Sequence, residues 1–245
     1  MRKYIPNTIT TLNLICGTLS IFFSIIGNPT IASYLIFVAA LFDFLDGFAA
    51  RTLNAYSDLG KQLDSLADLI SFGLAPAFIL FFEMVDVMGL SIAGSDFSAI
   101  SYSDLILLCS PLFMVIASAF RLAKFNLDDQ QTDHFLGLPT PASGLFFASI
   151  PLVRHSADFP FLLNLLDQPI TLFILSLLMS FLMVSSIPMF SLKIKNLKDS
   201  ANIPAYILIF ISLVLLILFY LKAVFAIIIL YIFMAVLKST VLKKP

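Results

Sequence analysis

Two neighbouring stretches decide the fold: residues 31–50, IASYLIFVAALFDFLDGFAA, and residues 62–84, QLDSLADLISFGLAPAFILFFEM. Each matches the roughly 20 apolar residues that a helix needs to cross a hydrocarbon core, yet each carries a pair of aspartates. Outward from them, comparable apolar runs recur over 10–27, 104–123, 141–156, 169–190, 204–220 and 223–240. That gives eight spans, the fifth and seventh short. The composition agrees: of 245 residues 60% are hydrophobic and 12% charged, with mean hydropathy +1.03. Soluble domains average roughly 45–50% apolar and about 25% charged residues, so a water-soluble enzyme and a disordered chain are both excluded. A net charge of −1 offers no basic surface for nucleic acid. The expected architecture is all-α, a polytopic membrane helical bundle of about eight transmembrane helices, in one domain over 1–245.

The connections set the topology. Gly27-Asn28-Pro29 and the stretch from Tyr220 to Ala223 are long enough only for tight helix–helix turns. Arg2 and Lys3 before the first run suggest a signal peptide, but no small-residue cleavage pattern follows, so the run is read as a helix. With eight spans, every Lys and Arg except Arg154 and Lys222 falls on one side, which predicts both termini in the cytoplasm. Cys16 and Cys109 lie in apolar runs and read as structural thiols, while His134 and His155 are too few for a soft-metal site.

Asp43, Asp46, Asp64 and Asp68 are the anomaly. A carboxylate at mid-bilayer costs about 2.5–3.5 kcal/mol, less near the interface, so four together demand compensation. On helices the pairs stand at i, i+3 and i, i+4, each projecting from one face. Gly47 and Ala50 extend the first face without bulk, and Gly60 and Ser71 extend the second, Ser71 one turn deeper than Asp68 if the helix is continuous. Paired carboxylates beside small residues suit a hard cation, Mg²⁺, Mn²⁺ or Ca²⁺, rather than Zn²⁺ or Cu. Intramembrane acids also serve proton relays and ion pathways, so a cation or proton transporter is the alternative of another class. The complete string weighs against it: Asp43-x2-Asp46-Gly47-x2-Ala50-Arg51-x8-Gly60-x3-Asp64-x3-Asp68. A second polar face comprises Asn7, Thr10, Asn13 and Gly17, with Asn7 placed to cap a helix after Pro6. By composition alone that face is glue between helices.

The string matches every fixed position in the signature of the CDP-alcohol phosphotransferase family. Further segments resemble bacterial and archaeal phosphatidylserine synthases: PNTITTLNLICG at 6–17, SFGLAP at 71–76, FRLAKFN at 120–126, GLPTPASG at 137–144 and SSIPMFSLK at 185–193. Spans 204–240 resemble the family only in being apolar and form an accessory pair, and Lys124 stands where these synthases usually have Arg. The resemblance implies that Asp43, Asp46, Asp64 and Asp68 hold two divalent ions, Mg²⁺ or Mn²⁺ with Ca²⁺ as a non-productive occupant, and that Asp68 is the general base. It maps donor contacts onto Gly47, Ala50, Arg51, Ser57 and Asp64, and through the PNxxTxxN pattern onto Asn7, Thr10 and Asn13.

The implied reaction transfers the phosphatidyl group of CDP-diacylglycerol to L-serine, releasing CMP. Acceptor candidates are Ser71, Arg121, Asn126, Lys124 and the turn at 139–141, although Arg121 and Lys124 also fit simple positive-inside anchors. A sister enzyme with glycerol phosphate or an inositol phosphate as acceptor is the nearer alternative. The implied location is a prokaryotic cytoplasmic membrane with the site facing the cytoplasm, among membrane lipid; a homodimer is left open.

Overall fold

The computed structural model describes residues 4–90, 100–127, 135–156, 158–189 and 203–241. Arg2, Lys3, the polar run 128–134 with His134, Lys193, Lys195, Lys198, Lys243 and Lys244 lie outside them, as does the side chain of Lys238. Among the described residues the fold is all-α apart from one two-residue strand pair. Helices α1 (Tyr4–Ile25) and α2 (Pro29–Thr52) form the expected hairpin, turning at Gly27 with φ 78. Asn28 caps α2 by accepting from the Ile31 amide, and Ser20 donates to the Ala32 carbonyl across the pair. α1 begins at Tyr4, so Asn7 is not its cap. Proline is tolerated in a first turn, where its missing N–H costs no hydrogen bond, so the helix starts ahead of Pro6.

After a turn through Asn54, at φ 48, α3 (Asp58–Asp68) opens on Ser57, whose hydroxyl accepts from the Gly60 amide at 3.0 Å. α3 does not run on as an α-helix. It widens into a π-helical segment, Leu69–Leu74, before α4 (Ala75–Val87). A π turn needs close support, and small residues supply it on several sides. A Cβ on Gly17 of α1 would collide with Ser71, and one on Gly144 would stand 2.8 Å from the Phe72 backbone.

Then follow α5 (Tyr102–Leu108), α6 (Pro111–Leu127), α7 (Thr140–Arg154), α8 (Pro160–Leu166), α9 (Pro169–Val184), α10 (Ile203–Phe219), a 3₁₀ turn (Tyr220–Lys222) and α11 (Ala223–Val241). Strands β1 (Phe135–Leu136) and β2 (Pro188–Met189) pair antiparallel and clip the start of α7 to the end of α9. α7 is short and central. Phe146 and Phe147 on it are fully buried, and Phe146 stacks on Phe225 of α11 at 4.8 Å, whereas Phe22 on α1 is exposed as a lipid-facing ring should be.

Among the described residues five stretches are long and apolar enough to cross a membrane: Tyr4–Ile25, Pro29–Thr52, Asp58–Val87, Tyr102–Leu127 and Ala205–Leu237. α8 with α9, bent by 83°, makes a sixth if taken as one span. The chain is a multi-pass membrane protein. One end of the bundle gathers the starts of α1, α3 and α7 with the ends of α2, α6 and α9. The opposite end gathers the ends of α4 and α7, the start of α2 and the 3₁₀ turn.

Candidate active site

The four aspartates converge where α2 ends and α3 meets the π segment. Carboxylate oxygens of Asp43, Asp64 and Asp68 all lie within 4.8 Å of one another. Asp46, one turn further along α2, is buried and faces the same space from beside Thr10. Asp68 accepts from the Asn13 amide at 3.4 Å. One buried oxygen each on Asp46 and Asp64 has no hydrogen-bond partner. Among the described residues no Lys or Arg forms an ion pair with any of the four. Like charges this close repel strongly in a medium of low dielectric, and none of the described cations pairs with them directly. An oxygen-only donor set with unpartnered buried oxygens fits hard divalent cations, and it fits nothing softer.

Two cavities meet at this cluster. The larger, about 700 Å³, is lined by Asn7, Thr10, Asp46, Gly47, Ala50, Arg51, Tyr56, Ser57, Lys61 and Asp64 among others. It thus brings together all the donor-contact candidates from the sequence except Asn13, which instead holds Asp68. A Cβ on Gly47 would meet nothing within 4 Å, so that wall is open. Ser57 both lines the cavity and caps α3. Tyr56, Asp58 and Lys61 belong to this wall too, and nothing in the spacing singles out Tyr56 or Asp58.

The smaller cavity, about 230 Å³, is lined by Asp64, Ser65, Asp68, Arg121, Leu122, Phe125, Pro139 and Pro141. Asp64 belongs to both. Arg121 is largely buried; it donates to the Thr140 hydroxyl at 3.2 Å, and its Nε has no partner. Of the other acceptor candidates, Asn126 donates to Ser65 at 2.9 Å while its carbonyl accepts from Lys61, so it braces α6 against α3. Ser71 does not reach the cavity. The π turn packs it against α1, fully buried, with its hydroxyl donating to the Asn13 carbonyl at 3.0 Å. Lys124 lines a third cavity, about 450 Å³, with Arg121, Ser185 and Ser186.

Known proteins resemble this chain over much of its length. A CDP-diacylglycerol–serine O-phosphatidyltransferase of Bacillus subtilis is 38% identical over 185 residues, 76% of this chain and 89% of its own. One from Helicobacter pylori is 33% identical over 213 residues, 85% of this chain and 80% of its own. An archaetidylserine synthase of Methanothermobacter thermautotrophicus is 33% identical over 156 residues, 63% of this chain and 60% of its own. The family described as CDP-alcohol phosphatidyltransferase matches residues 3–241. With that match over nearly the whole length, the chain belongs to the CDP-alcohol phosphatidyltransferase family.

Proposed function

We propose that the protein transfers the phosphatidyl group of CDP-diacylglycerol to the hydroxyl of L-serine, giving phosphatidylserine and CMP. The observation that carries this reading is Asp64 standing in the wall of two cavities, one large enough for a nucleotide and one small and holding Arg121. Two substrates can then approach one carboxylate cluster from different sides, which is the geometry a transfer between them needs.

Asp43, Asp46, Asp64 and Asp68 would hold two divalent cations, Mg²⁺ or Mn²⁺, which when bound neutralise the pyrophosphate and the departing phosphate. In the larger cavity Gly47 and Ala50 leave room for the nucleotide, and Arg51 offers a fork of donors to phosphate. Asn7, Thr10 and Ser57 add polar contacts to the same cavity. Asn13 orients Asp68, which takes the serine hydroxyl proton as that oxygen attacks the lipid-side phosphorus. Arg121, held by Thr140, receives the serine carboxylate; its planar fork suits that group.

The same reading places eight crossings in the membrane, both termini and the site on the cytoplasmic side, and α10 and α11 as an accessory pair. Its support is the charge distribution and the alternation of helix ends between the two ends of the bundle. The test is an acceptor screen: purified protein in detergent with CDP-diacylglycerol and Mg²⁺ or Mn²⁺, offered serine, glycerol phosphate or inositol phosphate. Serine-stimulated CMP release without an ion gradient is expected. Stimulation by a phosphorylated acceptor instead would reassign the small cavity, and no CMP release with any acceptor would overturn the transferase reading.

A further inference from the structure

Phe125, in the last turn of α6, is the one described residue that lines all three cavities at the carboxylate end. Asp64 is shared by the first two and Arg121 by the last two; only this ring borders the donor space, the acceptor space and the space beyond Lys124. Most of its neighbours in those walls that reach into solvent are polar: Arg51, Asp58, Lys61, Ser65 and Lys124. An apolar ring at such a junction contributes no donor or charge to either substrate. What it contributes is an apolar wall.

We propose that Phe125 is the partition that separates the three spaces and keeps water from the lipid-side phosphorus, so that CDP-diacylglycerol is transferred rather than hydrolysed. The inference rests on the transferase reading above. A site that activates an alcohol hydroxyl activates water equally well, and water is in large excess over any dissolved alcohol. In the competing reaction a water oxygen bonds to the lipid-side phosphorus and its proton passes to Asp68. The bond from that phosphorus to the bridging oxygen breaks, and phosphatidate and CMP result. Excluding water from a closed site is how such side reactions are suppressed. The small cavity holds Asp68 and Arg121, and both Arg121 and Phe125 line it together with the cavity of Lys124, so a barrier between these two spaces stands at this pair, one turn apart on α6.

The test compares wild type, Phe125→Ala and Phe125→Leu, as full chains in detergent with CDP-diacylglycerol, serine and Mn²⁺, quantifying phosphatidylserine and phosphatidate against CMP. The hydrolysed fraction should rise roughly tenfold in Phe125→Ala, equivalent to a small change in relative barriers, and fall back toward wild type in Phe125→Leu. The ring is 42% exposed at a helix end, so both variants are expected to fold, and melting temperatures on the same samples check this. A role in packing alone would lower both products in proportion. If wild type makes phosphatidylserine and Phe125→Ala leaves the hydrolysed fraction unchanged, the partition is overturned and the transferase reading stands. If wild type releases no CMP with any acceptor, both fall together.

Discussion

Glu83 and Asp68 are buried acids on the same continuous run of helix, Asp58–Val87, and their surroundings are opposite. Around Glu83 the chain supplies its own counter-charge. Arg154, at the last turn of α7, pairs with Glu83, with Asp86 at 3.1 Å and with Asp167 at 3.0 Å, tying α4 and α7 to the residue that ends α8. Around Asp68 stand three further acids, one distant amide and no paired cation among the described residues. A guanidinium that satisfies three carboxylates makes a fastener. Acids left with unpartnered oxygens beside two cavities are held ready for charge that comes from outside the chain.

The largest effect should come from neutralising the unpaired end. Asp68→Asn is expected to cost roughly 10²–10⁴-fold in turnover, the usual contribution of a general base, with the melting temperature in metal-free buffer unchanged or raised because repulsion is relieved. Near-normal turnover would remove Asp68 from the chemistry. At the other end the sign pattern reverses. Arg154→Met leaves Glu83 buried without its partner and should destabilise the fold by about 3–5 kcal/mol, with much of the loss recovered in the double variant Arg154→Met/Glu83→Gln. Thermal denaturation of the three proteins measures this, and a single variant as stable as wild type would make the fastener ornamental.

A third experiment reads both ends at once. Mn²⁺ at a hundredfold excess over its dissociation constant should stabilise wild type by about 2.7 kcal/mol, since a ligand of the native state acts by mass action. Glu83→Gln should keep that response and Asp43→Asn should lose most of it; equal responses would place the cation elsewhere. The smallest effect concerns Arg121, which shares the small cavity with Asp64 and Asp68 without pairing with either. Arg121→Lys should raise the serine KM about tenfold and leave the CDP-diacylglycerol KM nearly unchanged, because a point charge replaces a fork at the acceptor alone. A shift confined to the lipid donor would make Arg121 a phosphate ligand.

Much of this contrast was legible in the sequence at one end and illegible at the other. Asp43 with Asp46 and Asp64 with Asp68 share helix faces by spacing alone, and the Gly27 turn and the apolar run lengths follow from local chemistry. Arg154 gave no such signal: its partners lie 71, 68 and 13 residues away, and only the packing of α7 against α4 brings them together. The same reason explains Ser71. Periodicity carried it one turn beyond Asp68, whereas the packing around Gly17 and Gly144 admits a wider turn that sends its hydroxyl to α1. Strands β1 and β2 are two residues each, too short to leave a pattern. Phe125 reads as one more apolar residue of a helix until the cavities around it are seen.

The π segment also sets a clock between the two ends. Each residue advances an α-helix by about 100°, and a π turn takes up more chain for nearly the same rotation, so the segment fixes the phase at which Glu83 emerges relative to Asp68. Shortening Leu69–Leu74 by one residue would leave composition, hydropathy and helix content almost untouched. It would also nearly keep the phase of α4, because an ordinary α turn would replace the wide one; one residue removed from α4 ahead of Glu83 would instead swing that acid about 100° out of step, so that Asp68 could face its cavity or Glu83 could face Arg154, but not both. The wide turn is thus the place between the two acids where the chain can give up a residue and still keep both ends in phase.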